Sequence, residues 1–251
     1  MSDDDLTVLA VKPPPDDEIS KIPIHPNLPD INSGAMVLLV SPVKTGKSTL
    51  ISNLLLNPAF YGPGGDKSKF DIVYIISNTI HNDVTSRYLK EAFPETVFDE
   101  YSDDIIRNII AYQKTFSKKE QPKIAIILDD FVGITKTAAV YWLASRFRHY
   151  NIGLLLFATQ LFKAVPCVVR QNATHVILGG PNPNENERGK IADEYQALYE
   201  GKTNFERLYT EACNRRYNFL YLDLQNNPTR AFRNFDELIF TGHDVGDDAP
   251  Q

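Results

Sequence analysis

The chain of 251 residues contains few of the residues that mark exported, zinc-binding or membrane-spanning proteins. Its only two cysteines, Cys167 and Cys213, lie far apart and form no Cys-x-x-Cys pair, so we expect buried reduced thiols and neither a disulfide framework nor a zinc site. The five histidines form no metal-ligand cluster. Apolar runs such as Leu154–Ala158 fall far short of the roughly 18 residues that a membrane span requires. The acidic start has no apolar signal segment, so we expect no export.

The formal net charge of −6 is concentrated at the two ends of the chain. Residues 1–18 carry a net charge of −5 and residues 241–251 carry −3, which leaves +2 for the body of the chain. A near-neutral body with local basic loops neither excludes nor favours contact with a phosphate backbone. The Pro- and Asp-rich composition predicts an extended, partly disordered N-terminal arm over 1–33, one domain over 34–240 and an acidic C-terminal tail over 241–251.

Strand and helix patterns alternate through the body of the chain. Apolar, β-branched runs predict strands at Ala35–Val40, Ile72–Ile76, Ile124–Leu128, Gly153–Ala158, His175–Leu178 and Phe219–Leu222. Amphipathic patterns predict helices at Thr49–Leu56, Val84–Ala92, Asp103–Phe116, Thr137–Tyr150, Asn184–Tyr199 and Asn204–Cys213. This alternation indicates an α/β fold with a mainly parallel sheet flanked by helices on both faces. Ligands in such folds bind at the carboxyl ends of the strands, so we expect the functional residues just after each strand.

The octapeptide Ser41-Pro42-Val43-Lys44-Thr45-Gly46-Lys47-Ser48 follows the first strand and precedes the first helix, in the order that builds a phosphate-binding P-loop. We expect Lys47 to bridge the β- and γ-phosphates of ATP and Ser48 to bind Mg²⁺. Phosphate oxygens would be cradled by the amides of Thr45, Gly46, Lys47 and Thr49. Ser41 departs from the motif's first glycine, so it must adopt a negative φ, and Pro42 removes one amide donor.

Two further strands end in polar residues. Asp129 and Asp130 follow Ile124–Leu128, as in a Walker B strand; Asp129 would hold Mg²⁺ and Asp130 would activate the attacking water. A buried strand ending in a polar turn is the alternative, which the P-loop upstream disfavours. Thr159 and Gln160 follow the next strand, beside the P-loop strand, and a polar residue there can sense the γ-phosphate. Thr159 could instead cap the following helix.

Three arginines are candidates for an arginine finger that acts on a neighbouring subunit. Arg146 and Arg148 close the helix before Gly153–Ala158, and Arg148 is the preferred candidate. The helix dipole alone also favours arginines at that position. Arg170 is the rival.

Three segments carry a resemblance to a known superfamily: Ser41–Thr49, Lys123–Val132 and Ser145–Leu178. The last contains an Arg-His pair before a strand and Ala-Thr-Gln after it. This order resembles the FtsK/HerA superfamily and, more closely, the genome-packaging ATPases of large double-stranded DNA viruses and virophages. Asp130 departs from the wider superfamily, which often has Glu at this position.

The resemblance implies a P-loop NTPase of RecA-like, additional-strand type that uses ATP and Mg²⁺. It implies a homo-oligomeric ring that moves double-stranded DNA into a preformed capsid, with viral capsid proteins as partners. It also implies Gln160 as γ-phosphate sensor, an arginine acting across the subunit boundary, and a location in the viral factory of the host cytoplasm and in the virion. Two alternatives stay open: a P-loop kinase for small molecules, and a weakly hydrolysing nucleotide-binding protein of capsid assembly.

Overall fold

The computed structural model describes residues 22–64, 69–81, 84–130, 137–180 and 184–242. Its nine strands are β1 Ala35–Val40, β2 Ile72–Ser77, β3 Val97–Phe98, β4 Ile124–Asp129, β5 Ile152–Thr159, β6 His175–Gly179, β7 Phe219–Asp223, β8 Arg230–Arg233 and β9 Glu237–Thr241. Its seven α-helices are α1 Lys47–Leu56, α2 Val84–Ala92, α3 Asp103–Gln113, α4 Ala138–Arg146, α5 Cys167–Asn172, α6 Glu185–Tyr195 and α7 Lys202–Ala212.

All nine strands belong to one sheet, in the order β3-β2-β4-β5-β1-β6-β7-β8-β9. Neighbouring strands from β3 to β6 are parallel, whereas β7, β8 and β9 pair antiparallel at one side. Strand β5 therefore lies between β1 and β4. This placement brings the carboxyl ends of the P-loop strand and the acid-bearing strand to one edge, on either side of β5.

Burial of both faces explains why the central strands are continuously apolar. Every residue of β1, β4 and β5 is buried. Along β1, Met36, Leu38 and Val40 pack into one hydrophobic cluster, while the alternating residues face the other. Helices α3 to α7 contribute to the first cluster and α1 and α2 to the second. The predicted mainly parallel α/β fold is therefore confirmed.

The predicted strands and helices are all present; Ala35–Val40 and Val84–Ala92 have the predicted ends, and the ends of the others are shifted. Ser102 caps α3 by accepting a hydrogen bond from the Asp104 amide, but the helix ends at Gln113 rather than Phe116. The helix expected to reach Tyr150 is α-helical only to Arg146 and continues as a 3-10 turn over Phe147–Tyr150. Helix α5 and strands β3, β8 and β9 were not predicted; β3 and β9 contain no buried residue, so they lack a core-facing pattern.

The described part of the predicted arm packs on the sheet. Leu28 and Ile31 are buried in the second cluster. The carbonyl of Ile31 accepts a hydrogen bond from Lys123 Nζ at 3.1 Å, and the hydroxyl of Tyr61 donates to the carbonyl of Pro29 at 2.7 Å. Residues 1–21 of the arm and 243–251 of the tail lie outside the described residues.

Both cysteines are free thiols, as expected, but only Cys213 is buried; Cys167 is exposed at the start of α5, so its predicted burial was wrong. In the described part of the chain, every helix is too short or too polar to cross a bilayer.

Candidate active site

The P-loop joins β1 to α1 by a turn that uses two left-handed residues. Lys44 has a φ of 63° and Gly46 a φ of 97°. The φ of Gly46 is one that residues with a side chain rarely adopt, and a Cβ there would also lie in tight contact with the ring of Tyr217, at 3.2 Å. Helix α1 begins at Lys47, so its free N-terminal amides follow directly on the loop. A loop and helix N-terminus in this order suit a bound phosphate.

Ser41 is accommodated without a positive φ, as the sequence required. Its hydroxyl forms a hydrogen bond with the hydroxyl of Thr45, which donates to the carbonyl of Pro42 at 2.6 Å. Strand β6 ends against these side chains: a Cβ on Gly179 would collide with the Ser41 side chain, and one on Gly180 would lie 2.8 Å from Thr45 Cγ2. The two glycines therefore make room for the hydroxyl side chains of the loop.

Lys47 lies between the two acids that follow β4. Its Nζ is 3.1 Å from Asp129 Oδ1 and forms a second ion pair with Asp130. Asp129 ends the strand, and Asp130 has a φ of 53°, which is uncommon for a residue with a side chain. Such backbone strain is typical of functional positions, where the surrounding contacts hold it in place.

Three polar side chains from neighbouring strands hold these carboxylates. Ser77, which ends β2, donates to Asp129 Oδ2 at 3.1 Å. Thr79 donates to Asp130 Oδ2 at 2.9 Å, and Gln160 Nε2 lies 3.5 Å from Asp130 Oδ1. Gln160 was predicted, whereas Ser77 and Thr79 were missed. The sequence signal for both is their position just after the strand predicted at Ile72–Ile76, whereas the register that places Ser77 beside Asp129 is a property of the fold.

The pKa of Asp130 lies below its ordinary value of 3.8. Burial alone would raise this pKa, but the hydrogen bond and the positive charge of Lys47 outweigh that effect, and hydrogen bonds from Thr79 and Gln160 add to the lowering. Asp130 is therefore ionised at neutral pH, as a group that accepts a proton from water must be.

The residues present fit a Mg²⁺ ion. Asp129 Oδ1 is buried and faces the ammonium of Lys47 at 3.1 Å without a hydrogen bond from the described residues, so it would be open to a cation once phosphate draws Lys47 away. No cluster of three or more His, Cys, Asp or Glu side chains with metal-binding geometry occurs among those residues. Magnesium commonly takes one or two protein ligands and completes its octahedron with phosphates and water, so Ser48 and Asp129 would suffice.

A cavity of about 590 Å³ brings most of the predicted site together. The predicted residues that line it are Gly46, Lys47, Ser48, Thr49, Asp130 and Gln160. Thr45 lines an adjoining cavity instead. The phosphate cavity also contains Thr79, Arg216 and Tyr217, which the sequence did not single out.

None of the three candidate finger arginines lines this cavity. Arg148 donates from Nε to the carbonyl of Gly34 at 3.2 Å, just before β1, so it lies at the amino edge of the sheet, opposite the P-loop. Arg146 is exposed, with its guanidinium 5.7 Å from the Trp142 ring centre. Arg170 is held internally, by the Val165 carbonyl at 2.8 Å and by Glu194 at 3.3 Å.

The strand order, the P-loop and the paired acids together define a P-loop NTPase fold of RecA-like, additional-strand type. Solved structures that share it include three of genome-packaging B204 proteins. The sulfate complex of the NTPase from Sulfolobus turreted icosahedral virus 2 has a TM-score of 0.54 and 21% identity, over 81% of this chain and 96% of that one. Its ATP-gammaS complex has a TM-score of 0.52 and 19% identity, over 81% and 99%.

The third structure is the DNA-packaging ATPase B204 from Sulfolobus turreted icosahedral virus, with a TM-score of 0.51 and 18% identity, over 87% of this chain and 100% of that one. At such identities the likeness shows a shared fold. The resemblance predicted from the motifs is therefore confirmed at the level of the fold. No protein-family model matches the chain, and no curated protein matches it significantly.

Proposed function

We propose that this protein is an ATPase that moves double-stranded viral DNA into a preformed capsid. The observation that carries the proposal is the convergence of Lys47, Asp129, Asp130 and Gln160, from three strand ends, beside a P-loop. The shared fold of B204, described as a genome-packaging NTPase and a DNA-packaging ATPase, supports the packaging role.

The proposal gives each of these side chains a step in hydrolysis, and the observed contacts support it. The triphosphate competes with Asp129 and Asp130 for the ammonium of Lys47, which then binds the β- and γ-phosphates. Asp130, freed from that ion pair and still held by Thr79, orients a water molecule and accepts its proton. The side-chain amide of Gln160 lies beside Asp130 and would contact the γ-phosphate. Ser48 and Asp129 would hold Mg²⁺, which would neutralise charge that develops on the phosphates.

A ring of subunits would complete the site. Arg148 is exposed at the edge of the sheet opposite the chain's own P-loop, so it can act only on the ATP of another subunit. Arg146 is exposed on the same segment. Arg148 makes one hydrogen bond to a carbonyl of its own chain but is exposed, whereas Arg170 is half-buried and held by both a carbonyl and Glu194. Arg148 and Arg146 are therefore the better candidates for the arginine finger. Capsid proteins as partners, and action in the viral factory of the host cytoplasm, belong to the same proposal.

The contacts of Asp130 favour hydrolysis over phosphoryl transfer to a small molecule. Its carboxylate is held by two polar side chains inside the phosphate cavity, where water would attack. The kinase alternative is therefore not adopted. A weakly hydrolysing assembly protein would have the same binding site. The rate of ATP turnover distinguishes such a protein from a motor.

The test is ATP turnover by the purified chain with and without duplex DNA, alongside its mass by light scattering. We expect an oligomer whose turnover rises with duplex DNA and is lost in Lys47→Ala. Single-stranded DNA at equal nucleotide concentration is the control for charge alone. DNA-independent hydrolysis by a strict monomer would contradict the motor, and phosphoryl transfer to an added acceptor would identify a kinase.

A further inference from the structure

A second cavity, of about 620 Å³, adjoins the phosphate cavity. The two cavities share Gly46, Lys47, Thr49 and Tyr217 in their walls, so they meet at the start of α1. A ligand with its phosphates on the P-loop therefore has the second cavity within reach of the rest of its structure.

The second cavity has aromatic walls and a polar rim. Phe60 and Phe219 both pack edge-on against Phe235, with ring centres 5.6 and 5.0 Å apart. Leu50 completes the apolar wall on α1. Away from the P-loop and the start of α1, the polar residues that line the cavity include His25, Asn53, Asn234 and Asp236. Apolar and aromatic walls with a few polar groups are typical of sites that bury a flat organic ligand.

Tyr217 stands at the junction of the two cavities in an unusual conformation. Its φ is 70°, in the left-handed region that a bulky residue rarely adopts. Its side chain is 55% exposed although it is aromatic. The ring lies over Gly46 of the P-loop, and the guanidinium of Arg216 stacks on it at 4.7 Å from the ring centre. An exposed aromatic ring in a strained turn, pressed against a phosphate-binding loop, indicates a ligand contact.

We propose that the second cavity binds the base and ribose of the nucleotide and that the ring of Tyr217 stacks on them. Arg216, which lines only the phosphate cavity of the two, places its positive charge on the phosphate side of that ring. This inference rests on the proposed function, because it requires the phosphates to lie on the P-loop. Tyr217 is thus a binding residue that contacts the base and ribose of the nucleotide, and Lys47 contacts its phosphates.

Calorimetry of ATP binding and of inorganic tripolyphosphate binding distinguishes the two contributions, because tripolyphosphate has the phosphates but lacks the base and the ribose. Loss of one aromatic stacking contact weakens binding by about tenfold to a hundredfold. We expect Tyr217→Ala to weaken ATP binding by that factor and to leave tripolyphosphate binding unchanged. Tyr217→Phe keeps the ring and should retain the affinity for ATP. Tyr141→Ala, at an exposed tyrosine of α4, is the matched control.

Tyr217→Gly keeps the test valid if the alanine variant does not fold, since glycine accepts a positive φ. The base-binding proposal is overturned if Tyr217→Ala and Tyr217→Gly weaken both ligands equally or weaken neither. The proposed function fails in a different way: tripolyphosphate and ATP would both fail to bind the unmodified chain, or Lys47→Ala would leave the affinity for both unchanged.

Discussion

Gly179 provides the space for the side chain of Ser41, the residue at which the loop departs from the P-loop motif. Ser41 stands where the P-loop motif has glycine, and its side chain fills the space that a Cβ on Gly179 would need. Its hydroxyl is bound to Thr45 of the loop. The serine therefore contributes to the shape of the loop, and the glycine at the end of β6 is what permits it.

Substitution at Gly179 tests this relation. We expect Gly179→Ala to displace the loop and weaken ATP binding by roughly tenfold, because inserting a methyl group into a packed site commonly costs about 1–3 kcal/mol. Adding Ser41→Gly removes the colliding side chain and should recover most of the affinity, which calorimetry measures. Gly189→Ala is the control, since a Cβ there meets nothing within 4 Å. Losses that simply add in the double variant would contradict the account.

The residues expected to bind phosphate could be singled out from the sequence because they form a local motif. Lys47 and Asp130 were predicted as members of one site, and the structure brings them into contact. The hydroxyl of Thr79 was missed because it gains its role only from the pairing of β2 with β4, which no local pattern encodes.

At the scale of elements, a buried polar cluster joins β6, β7 and β8 at the edge opposite the site. His175 pairs in register with Asp223, and Asp223 with Arg230. The imidazole lies 3.5 Å from the Asp223 carboxylate, which the Arg230 guanidinium contacts at 2.7 Å. Each residue stands at an end of its strand, so the cluster fixes the register by which the antiparallel strands attach to the parallel part of the sheet.

This cluster predicts a pH dependence of stability. Burial lowers the pKa of His175 to about 4, from an ordinary value of 6.5; Asp223 opposes this shift and Arg230 adds to it. Between these values the unfolded chain binds a proton that the folded chain does not. The contribution of neutral His175 to the unfolding free energy is therefore full above pH 6.5 and is lost as the pH falls towards about 4.

Urea unfolding of the unmodified chain and of His175→Gln across that pH range checks the prediction. We expect the variant to be less stable at neutral pH, because the ring stacked on Tyr221 is lost. The difference between the two proteins should then narrow as the pH falls. A difference that stays constant with pH would contradict the prediction, because it would mean that His175 has the same pKa in the folded and the unfolded chain.

At the scale of the whole molecule, the sequence predicted the parallel half of the sheet better than the antiparallel half. Continuous apolar runs indicate strands covered on both faces, as β1, β4 and β5 are. Whether a strand runs parallel or antiparallel to its neighbour is not visible in this apolar pattern. Because β7 runs antiparallel to β6, the turn before it, with Arg216 and Tyr217, reaches the same edge as the P-loop. Arg216 and Tyr217 precede a strand, so the expectation that functional residues follow strands does not include them.

The central claim of the account is that Lys47 and Asp130 act together as an ATP-hydrolysing unit. The most direct measurement is the rate of ATP turnover by Asp130→Asn, taken together with its affinity for ATP. The substitution removes one of the two charges that compete with phosphate for Lys47, so binding should be retained or tightened. Turnover should fall by about 10²- to 10⁴-fold, the usual contribution of a general base. Turnover close to that of the unmodified chain, with ATP still bound, would contradict the claim.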